Sequence, residues 1–180
     1  MQYVIGIDLG TSSVKTLLVN QQGEVCGKVI KTYPLVHDQP GFSEQDPEQW
    51  VTQTMESLRE LVNESKVEPH HIVGISFSGQ MHGLVLLDRE GEVLRPAILW
   101  NDTRTTQQCR KIEQKLGSRL LQITKNVALE GFTLPKLLWV QQHEPLLFSK
   151  ASVFLLPKDY LRYRLTGQLH MDFSDAAGTL

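Results

Sequence analysis

Gly6-Ile7-Asp8-Leu9-Gly10-Thr11-Ser12-Ser13 ends one apolar run on a carboxylate and opens another after a turn of small residues. Tyr3 to Asp8 reads as a strand buried on both faces, and Val14 to Val19 as a second strand. Gln21-Gln22-Gly23 turns the chain again, into a third strand over Glu24 to Thr32. Three strands joined by short turns make an antiparallel meander. A strand-turn-strand opening differs from the strand-helix-strand start of a dinucleotide-binding domain.

The turn suits phosphate. Phosphate oxygens only accept hydrogen bonds, so a site needs converging N–H groups, and a glycine-containing turn exposes amides without side chains in the way. Thr11 and Ser12 add hydroxyl donors. Asp8 adds a carboxylate placed to hold Mg2+ through water, because Mg2+ keeps much of its hydration shell. A ligand-free turn would explain Gly10 to Ser13 alone. It does not explain Asp8, since a carboxylate ending a buried strand is costly without a partner. The chain has no Walker A sequence and no G-x-G-x-x-G. Gly74-Ile75-Ser76-Phe77-Ser78-Gly79 misses the hydrolase elbow because its second glycine comes one place late.

His37 to Pro47 is rich in turn formers and reads as a loop. Asp46-Pro47 starts a helix, with Asp as N-cap and Pro at the first helical position; Trp50, Val51, Met55, Leu58, Leu61 and Val62 then recur at helical spacing. Ile72 to Phe77, Leu84 to Leu87 and Ala97 to Trp100 read as strands, and Asp88-Arg89-Glu90-Gly91 turns the second of them back. Helices are expected at 103–116, 118–124, 134–143 and 157–166, with a strand at Val153 to Leu156. The fold class is α/β: a mixed sheet, opening with a three-stranded antiparallel meander and flanked by helices.

Composition narrows function by exclusion. The 180 residues are 41% hydrophobic and 21% charged, as in one soluble domain with a real core. A formal net charge of -2 argues against nucleic acid, and no basic amphipathic stretch or long apolar run points to a membrane. The start at Met1 lacks the pattern of a signal peptide. Cys26 and Cys109 carry no metal-like spacing and suit a reducing compartment, so a cytoplasmic protein is expected.

Two segments suit a polyol, whose hydroxyls need donors and acceptors and whose carbons need an apolar wall. In Gly79-Gln80-Met81-His82-Gly83, Gln80 and His82 supply the polar groups and Met81 the apolar surface, while the glycines let the backbone approach a ligand. Pro96 to Arg104 closes a strand with Trp100, Asn101, Asp102 and Arg104. Taken alone, Trp100 reads as core. As a sugar platform it would pack on C–H groups, with the three polar residues at the hydroxyls.

Asp8-Leu9-Gly10-Thr11 resembles the phosphate hairpin of the ribonuclease H-like, actin-like ATPase superfamily. Ser43-Glu44-Gln45-Asp46-Pro47-Glu48-Gln49-Trp50, Gln80-Met81-His82-Gly83, Arg95 to Asp102, Pro135 to Val140, Leu156 to Leu161 and Ser174 to Thr179 follow in order. With them, the chain resembles the FGGY family of carbohydrate kinases along essentially its whole length. The resemblance implies a sugar kinase that uses ATP and Mg2+. It implies that Asp8 helps hold the Mg2+ of MgATP and that Gly10, Thr11, Ser12 and Ser13 lie near the phosphates. It implies that Gln80, Met81 and His82 contact the sugar and that Trp100, Asn101 and Asp102 line or support its pocket. Met81-His82 favours D-xylulose, phosphorylated on its C5 hydroxyl, among the family's sugars. Gly131-Phe132 falls on the pocket rim. Asp159 and Asp175 read as helix-end charge and loop capping.

Family members have two similar domains. The resemblance therefore implies that the ATP-binding C-terminal domain lies beyond Leu180, and with it the Asp that acts as base. Residues 1–180 read as an incomplete N-terminal domain with no catalytic residue and no useful kinase activity of its own. A missing packing partner would leave an apolar patch favouring association, a homodimer included. The rival readings are a kinase for another pentulose or polyol, a non-catalytic sugar-binding module, and an actin-like or chaperone ATPase. The sugar-side motifs count against the last.

Overall fold

The computed structural model describes residues 1–180. The chain runs β1 (Tyr3–Leu9), β2 (Ser13–Asn20), β3 (Val25–Thr32), β4 (Glu44–Gln45), α1 (Pro47–Ser65), β5 (Ile72–Gly79), β6 (Val85–Leu87) and β7 (Ala97–Ile98). It continues through α2 (Thr106–Leu116), α3 (Ser118–Thr124), α4 (Thr133–His143), α5 (Pro145–Phe148), β8 (Val153–Leu155), α6 (Pro157–Thr166) and α7 (Phe173–Ala176). The main sheet has the order β3-β2-β1-β5, antiparallel through the meander and parallel where β5 joins β1. Parallel neighbours need a long crossover, and α1 supplies it.

The sequence of α1 explains both its start and its packing. The Asp46 carboxylate accepts from the Glu48 amide and Pro47 takes the first turn, so the helix begins where capping chemistry puts it. Its buried line is Trp50, Thr54, Ser57 and Leu61, while Val51 and Leu58 are only partly buried. The stripe is rotated from the one expected because small hydroxyl residues let the helix approach the sheet closely. Ser57 and Thr16 of β2 share a buried hydroxyl–hydroxyl bond of 2.6 Å. A Cβ at Gly27 of β3 would stand 3.0 Å from Leu61. Ile5, Ile7, Leu9, Val14, Leu18 and Val29 complete this core beneath the helix.

The expectation that β1 is buried on both faces is corrected. Ile5, Ile7 and Leu9 are buried, but Val4 and Asp8, which alternate with them, are exposed. Only α1 and α6 pack on the sheet, so Val4, Val25 and Ile30 keep an open face. Asp8 lies on that face. Asp8 is therefore not a buried carboxylate that calls for a partner, as its place at the end of an apolar run suggests.

Two short sheets complete the domain. β4 pairs with β7, and β6 with β8, both antiparallel. The turn at 88–91 forms, with Gly91 at φ 86 and the Asp88 side chain accepting from the Glu90 and Glu92 amides. It returns the chain to β6 through a single bridge, Leu87 to Val93, and β8 is the true partner of β6. Two smaller clusters, one around Leu84, Leu86, Ile98 and Val140 and one around Cys109, Ile112, Leu120 and Ala128, anchor α4 and α2. No helix is long and apolar enough to cross a membrane.

Asp159, in the first turn of α6, is buried, and its Oδ2 has no hydrogen-bond partner. Burial pushes its carboxyl up to about 6; Asp172 and Asp175 push the same way against Lys158 and Arg162. A carboxyl raised on folding binds its proton more tightly in the native state, so its stabilising effect is complete below pH 4 and is lost as pH rises through 6. Asp172, held well below the usual range by the Lys158 ammonium, titrates outside that window. Asp159→Asn is therefore expected to gain about 2 kcal/mol on the parent between pH 4 and pH 7, after discounting for solvent screening. Urea unfolding at the two pH values checks this, and an unchanged difference would refute it.

Candidate functional site

The end of β1 and the start of β2 make a tight hairpin. The Gly10 amide donates to Ser13 O at 3.0 Å, and the buried Tyr33 hydroxyl donates to Gly10 O. Burial pushes the Tyr33 phenol well up, and the Asp8 charge adds to this. The amides of Thr11 and Ser12 donate to no group of the chain. Asp8 stands opposite Lys15 in the β1–β2 register, and both line a groove of about 210 Å³ with Ser76 and Ser78. Neither takes part in an ion pair within the chain. One carboxylate, one ammonium and two unengaged amides thus share the hairpin end. Sequence reasoning missed Lys15. Its signal was available, because residue types alternate along a hairpin and position 15 must face as position 8 does.

β5 ends beside this turn. The Gln80 amide donates to Leu9 O at 2.7 Å, and a Cβ on Gly79 would stand 2.8 Å from the Leu9 Cβ, so only glycine lets the two strand ends meet so closely. The chain then makes the Gln80–Gly83 loop against the hairpin. A cavity of about 340 Å³ opens there, lined by Gly10, Thr11, Gly79, Gln80, Met81, His82 and Trp100. These residues come from all three segments singled out in the sequence, the phosphate-type turn, the Gly79–Gly83 loop and the Pro96 to Arg104 segment that carries Trp100.

Each wall has a distinct chemistry. Gln80 is buried, and its Oε1 accepts nothing within the chain. An orphaned acceptor at a cavity wall invites a donor from a ligand. Met81 is 45% exposed and Trp100 47% exposed. Trp100 is therefore not the core residue that its position alone suggests. Its indole N–H donates to Thr11 Oγ1 at 2.9 Å, which ties the aromatic wall to the hairpin.

His82 has a left-handed backbone, φ 63, unusual for a residue with a side chain. Its Nδ1 lies 3.0 Å from Gly178 O. A carbonyl only accepts, so Nδ1 carries the proton and Nε2 is left as an acceptor in the neutral ring. Thr133 Oγ1 donates to His82 O at 3.0 Å, and the Phe132 ring meets the imidazole edge-to-face at 5.1 Å. A Cβ on Gly178 would overlap the imidazole. Gly178→Ala is expected to displace the His82 imidazole. The carbon-13 ring resonance of His82 in the two proteins measures this; an unmoved resonance would show that the ring keeps its place.

The remaining expected residues lie differently. Asn101 is exposed in the turn after Trp100. Asp102 is fully buried: Oδ2 accepts from the Ser43 amide at 2.7 Å, and both oxygens take Arg104 N–H groups. It supports the loops behind the cavity, and its oxygens are fully used. Arg104, read from sequence as a sugar contact, is corrected: its guanidinium is spent on Asp102 and Glu44 and lies over the Phe42 ring at 3.6 Å. Asp175, read from sequence as a loop cap, is corrected: its carboxylate pairs with Lys158, and the α7 cap is Asp172, which accepts from the Asp175 amide.

Sequence reasoning also missed Gln45, the node beneath the site. Its Nε2 donates to Thr11 O at 2.6 Å and Pro34 O at 3.2 Å. Its Oε1 accepts from the Trp50 indole at 3.0 Å and from Gln80 at 3.4 Å. One buried amide thus joins the hairpin, the sugar-side loop and α1. A larger cleft, of about 610 Å³, lies elsewhere between the 90–96 segment and α6. Its two arginines are already paired, Arg95 with Glu44 and Glu144 and Arg164 with Glu48, so it offers an anionic ligand little.

A mixed sheet opening with a hairpin that carries Asp8 at its mouth defines the class: a domain of the actin-like ATPase fold. Plasmodium falciparum glycerol kinase, crystallised with ADP and 21% identical, shares that fold with a TM-score of 0.88 over 99% of this chain. The chain belongs to the FGGY family of carbohydrate kinases, whose N-terminal-domain profile matches residues 3–180. It is 65% identical over its full length to a xylulose kinase of Bacillus subtilis and 49% identical over 98% to one of Escherichia coli. It spans 36% of the length of each. A xyloylose kinase from Brucella ovis superposes with a TM-score of 0.94 at 43% identity, over 99% of this chain and 37% of that one. A gluconate kinase from Lactobacillus acidophilus superposes with 0.92 at 31%, over 99% and 36%.

Proposed function

We propose that residues 1–180 are the N-terminal domain of a longer ATP-dependent sugar kinase, and that the complete enzyme phosphorylates D-xylulose on its C5 hydroxyl. The observation that carries this is the 340 Å³ cavity, in which the turn suited to phosphate and the loop suited to a polyol share one wall. The 65% identity to a xylulose kinase supports the choice of sugar.

In this reading the sugar lies on Met81 and Trp100, with Gln80 Oε1 and His82 Nε2 accepting from its hydroxyls. Its C5 oxygen attacks the γ-phosphorus, the bond to the ADP oxygen breaks, and the hydroxyl proton passes to a base outside this chain. Phosphoryl transfer rests on positioning and charge stabilisation. Thr11 and Ser12 amides and Lys15 receive phosphate oxygens, and Gly10 and Ser13 shape the turn that presents them. The donor set fits MgATP: no group of three acidic or imidazole side chains could hold a metal alone, but a single free carboxylate suits an ion that arrives with phosphates and water. Mg2+ bound there would neutralise charge on the transferring group, and Asp8 would anchor it. The other wall of the cleft would come from the remaining two thirds of the enzyme, so residues 1–180 alone are inactive as a kinase.

The close superposition on a gluconate kinase favours one second reading, a kinase for a different sugar. ATP turnover by the full-length enzyme over D-xylulose, D-ribulose, D-gluconate and glycerol separates the two. The highest kcat/KM is expected with D-xylulose. A maximum with D-gluconate would replace the substrate, and no turnover with any of them would remove the kinase reading.

A further inference from the structure

Lys136 is a fully buried lysine, placed in the first turn of α4. Both facts oppose its charge. Burial pushes its ammonium down to about 7, and Arg104 pushes the same way. The positive end of a helix dipole is also a poor place for a cation. On the other side stand the Asp102 and Glu130 carboxylates and the Cys109 sulfur, none of which pairs with it directly. Its partners are instead three successive backbone carbonyls: Nζ donates to Glu130 O at 2.8 Å, Gly131 O at 2.5 Å and Phe132 O at 3.0 Å. Three acceptors match the three N–H groups of an ammonium, whereas a neutral amine has two and would orphan one carbonyl.

The loop gathered in this way faces the proposed sugar site. Phe132 meets the edge of His82, and Thr133, the next residue, donates to His82 O. A Cβ on Gly131 would stand 3.2 Å from Trp100 O, so the loop also abuts the aromatic wall. His82 needs such support, because its left-handed backbone is costly for a residue with a side chain.

We infer that Lys136 is a positioning residue for the sugar wall, gathering the 130–132 carbonyls so that Phe132 and Thr133 hold His82 in place. This rests on the reading of His82 as a sugar ligand. Lys136 reaches the substrate only through the loop, so its removal acts on the sugar and spares ATP.

The test uses the full-length enzyme with Lys136→Met, which keeps the stem and removes the donors, and with Phe132→Leu, which leaves the clamp and removes the ring edge. Lys136→Met is expected to raise KM for D-xylulose at least tenfold with KM for ATP changed less than twofold; Phe132→Leu is expected to raise KM for D-xylulose about fivefold. Parallel rises in both KM values, or an unchanged KM for the sugar, overturn the inference. If Lys136→Met does not fold, Lys136→Gln, which keeps an uncharged donor but cannot reach all three carbonyls, is read by the same criteria. Carbon-13 labelling of histidine gives a readout independent of the substrate. The His82 ring resonance is expected to shift in either variant, and an unmoved resonance also overturns the inference. Wild-type enzyme that leaves D-xylulose untouched would instead refute the substrate reading, while the resonance still tests the clamp.

Discussion

Asp8→Asn in the full-length enzyme is expected to lower kcat/KM for MgATP about a hundredfold or more, with D-xylulose affinity unchanged within about a factor of two. The asymmetry follows from the placement of the residue. Asp8 lines the groove it shares with Lys15, while the sugar-side cavity is walled by Gln80, Met81, His82 and Trp100. Because Asp8 is exposed and makes no ion pair within the chain, its removal should leave the fold intact. A melting temperature within a degree or so of the parent would confirm that the loss belongs to chemistry. A decrease in kcat/KM of less than threefold would mean that Asp8 does not hold the metal, and Lys15 with the Thr11 and Ser12 amides would carry the phosphates alone.

Gln45→Leu is expected to act on both stability and activity. The amide makes four hydrogen bonds in a buried place. Leucine fills a similar volume but leaves the Trp50 indole N–H, the Gln80 Nε2 and the Thr11 and Pro34 carbonyls without partners. At about 1 kcal/mol for each orphaned group, the loss is about 4 kcal/mol. A domain of this size should then melt roughly 10 °C lower. KM should rise for ATP and sugar together, because the same amide fixes Thr11 on one side and Gln80 on the other. Thermal unfolding with steady-state kinetics checks both parts. A stable variant with normal kinetics would show that the hairpin and the sugar-side loop hold their places without this node.

Much of the fold was legible because it is local. The meander followed from three apolar runs with short turns, and α1 from Asp46-Pro47 followed by a helical repeat. What escaped was non-local. Nothing in Tyr3 to Asp8 tells that only one face is covered, since that depends on where α1 packs. β4 is two residues long and exists because β7 lies beside it. The site divided in the same way. Asp8, the turn and the Gln80–His82 loop could be read from residue type and spacing; Gly10 and Thr11 of the turn meet that loop at one cavity, while Asp8 lines the separate groove it shares with Lys15. Arg104 was misread because a guanidinium near a candidate pocket looks available until its partners, Asp102 and Glu44, are seen. Gln45 and Lys136 escaped because each acts through backbone carbonyls, which every sequence has and none advertises.

The central claim is that the Gln80-Met81-His82 wall receives the sugar. Calorimetric titration of D-xylulose into the full-length enzyme, wild type and His82→Ala, tests it most directly. Saturable heat in the wild type, with affinity at least tenfold lower in a His82→Ala protein that melts at the parent temperature, is the predicted result. Undiminished binding by His82→Ala would contradict it and move the sugar to another wall of the enzyme.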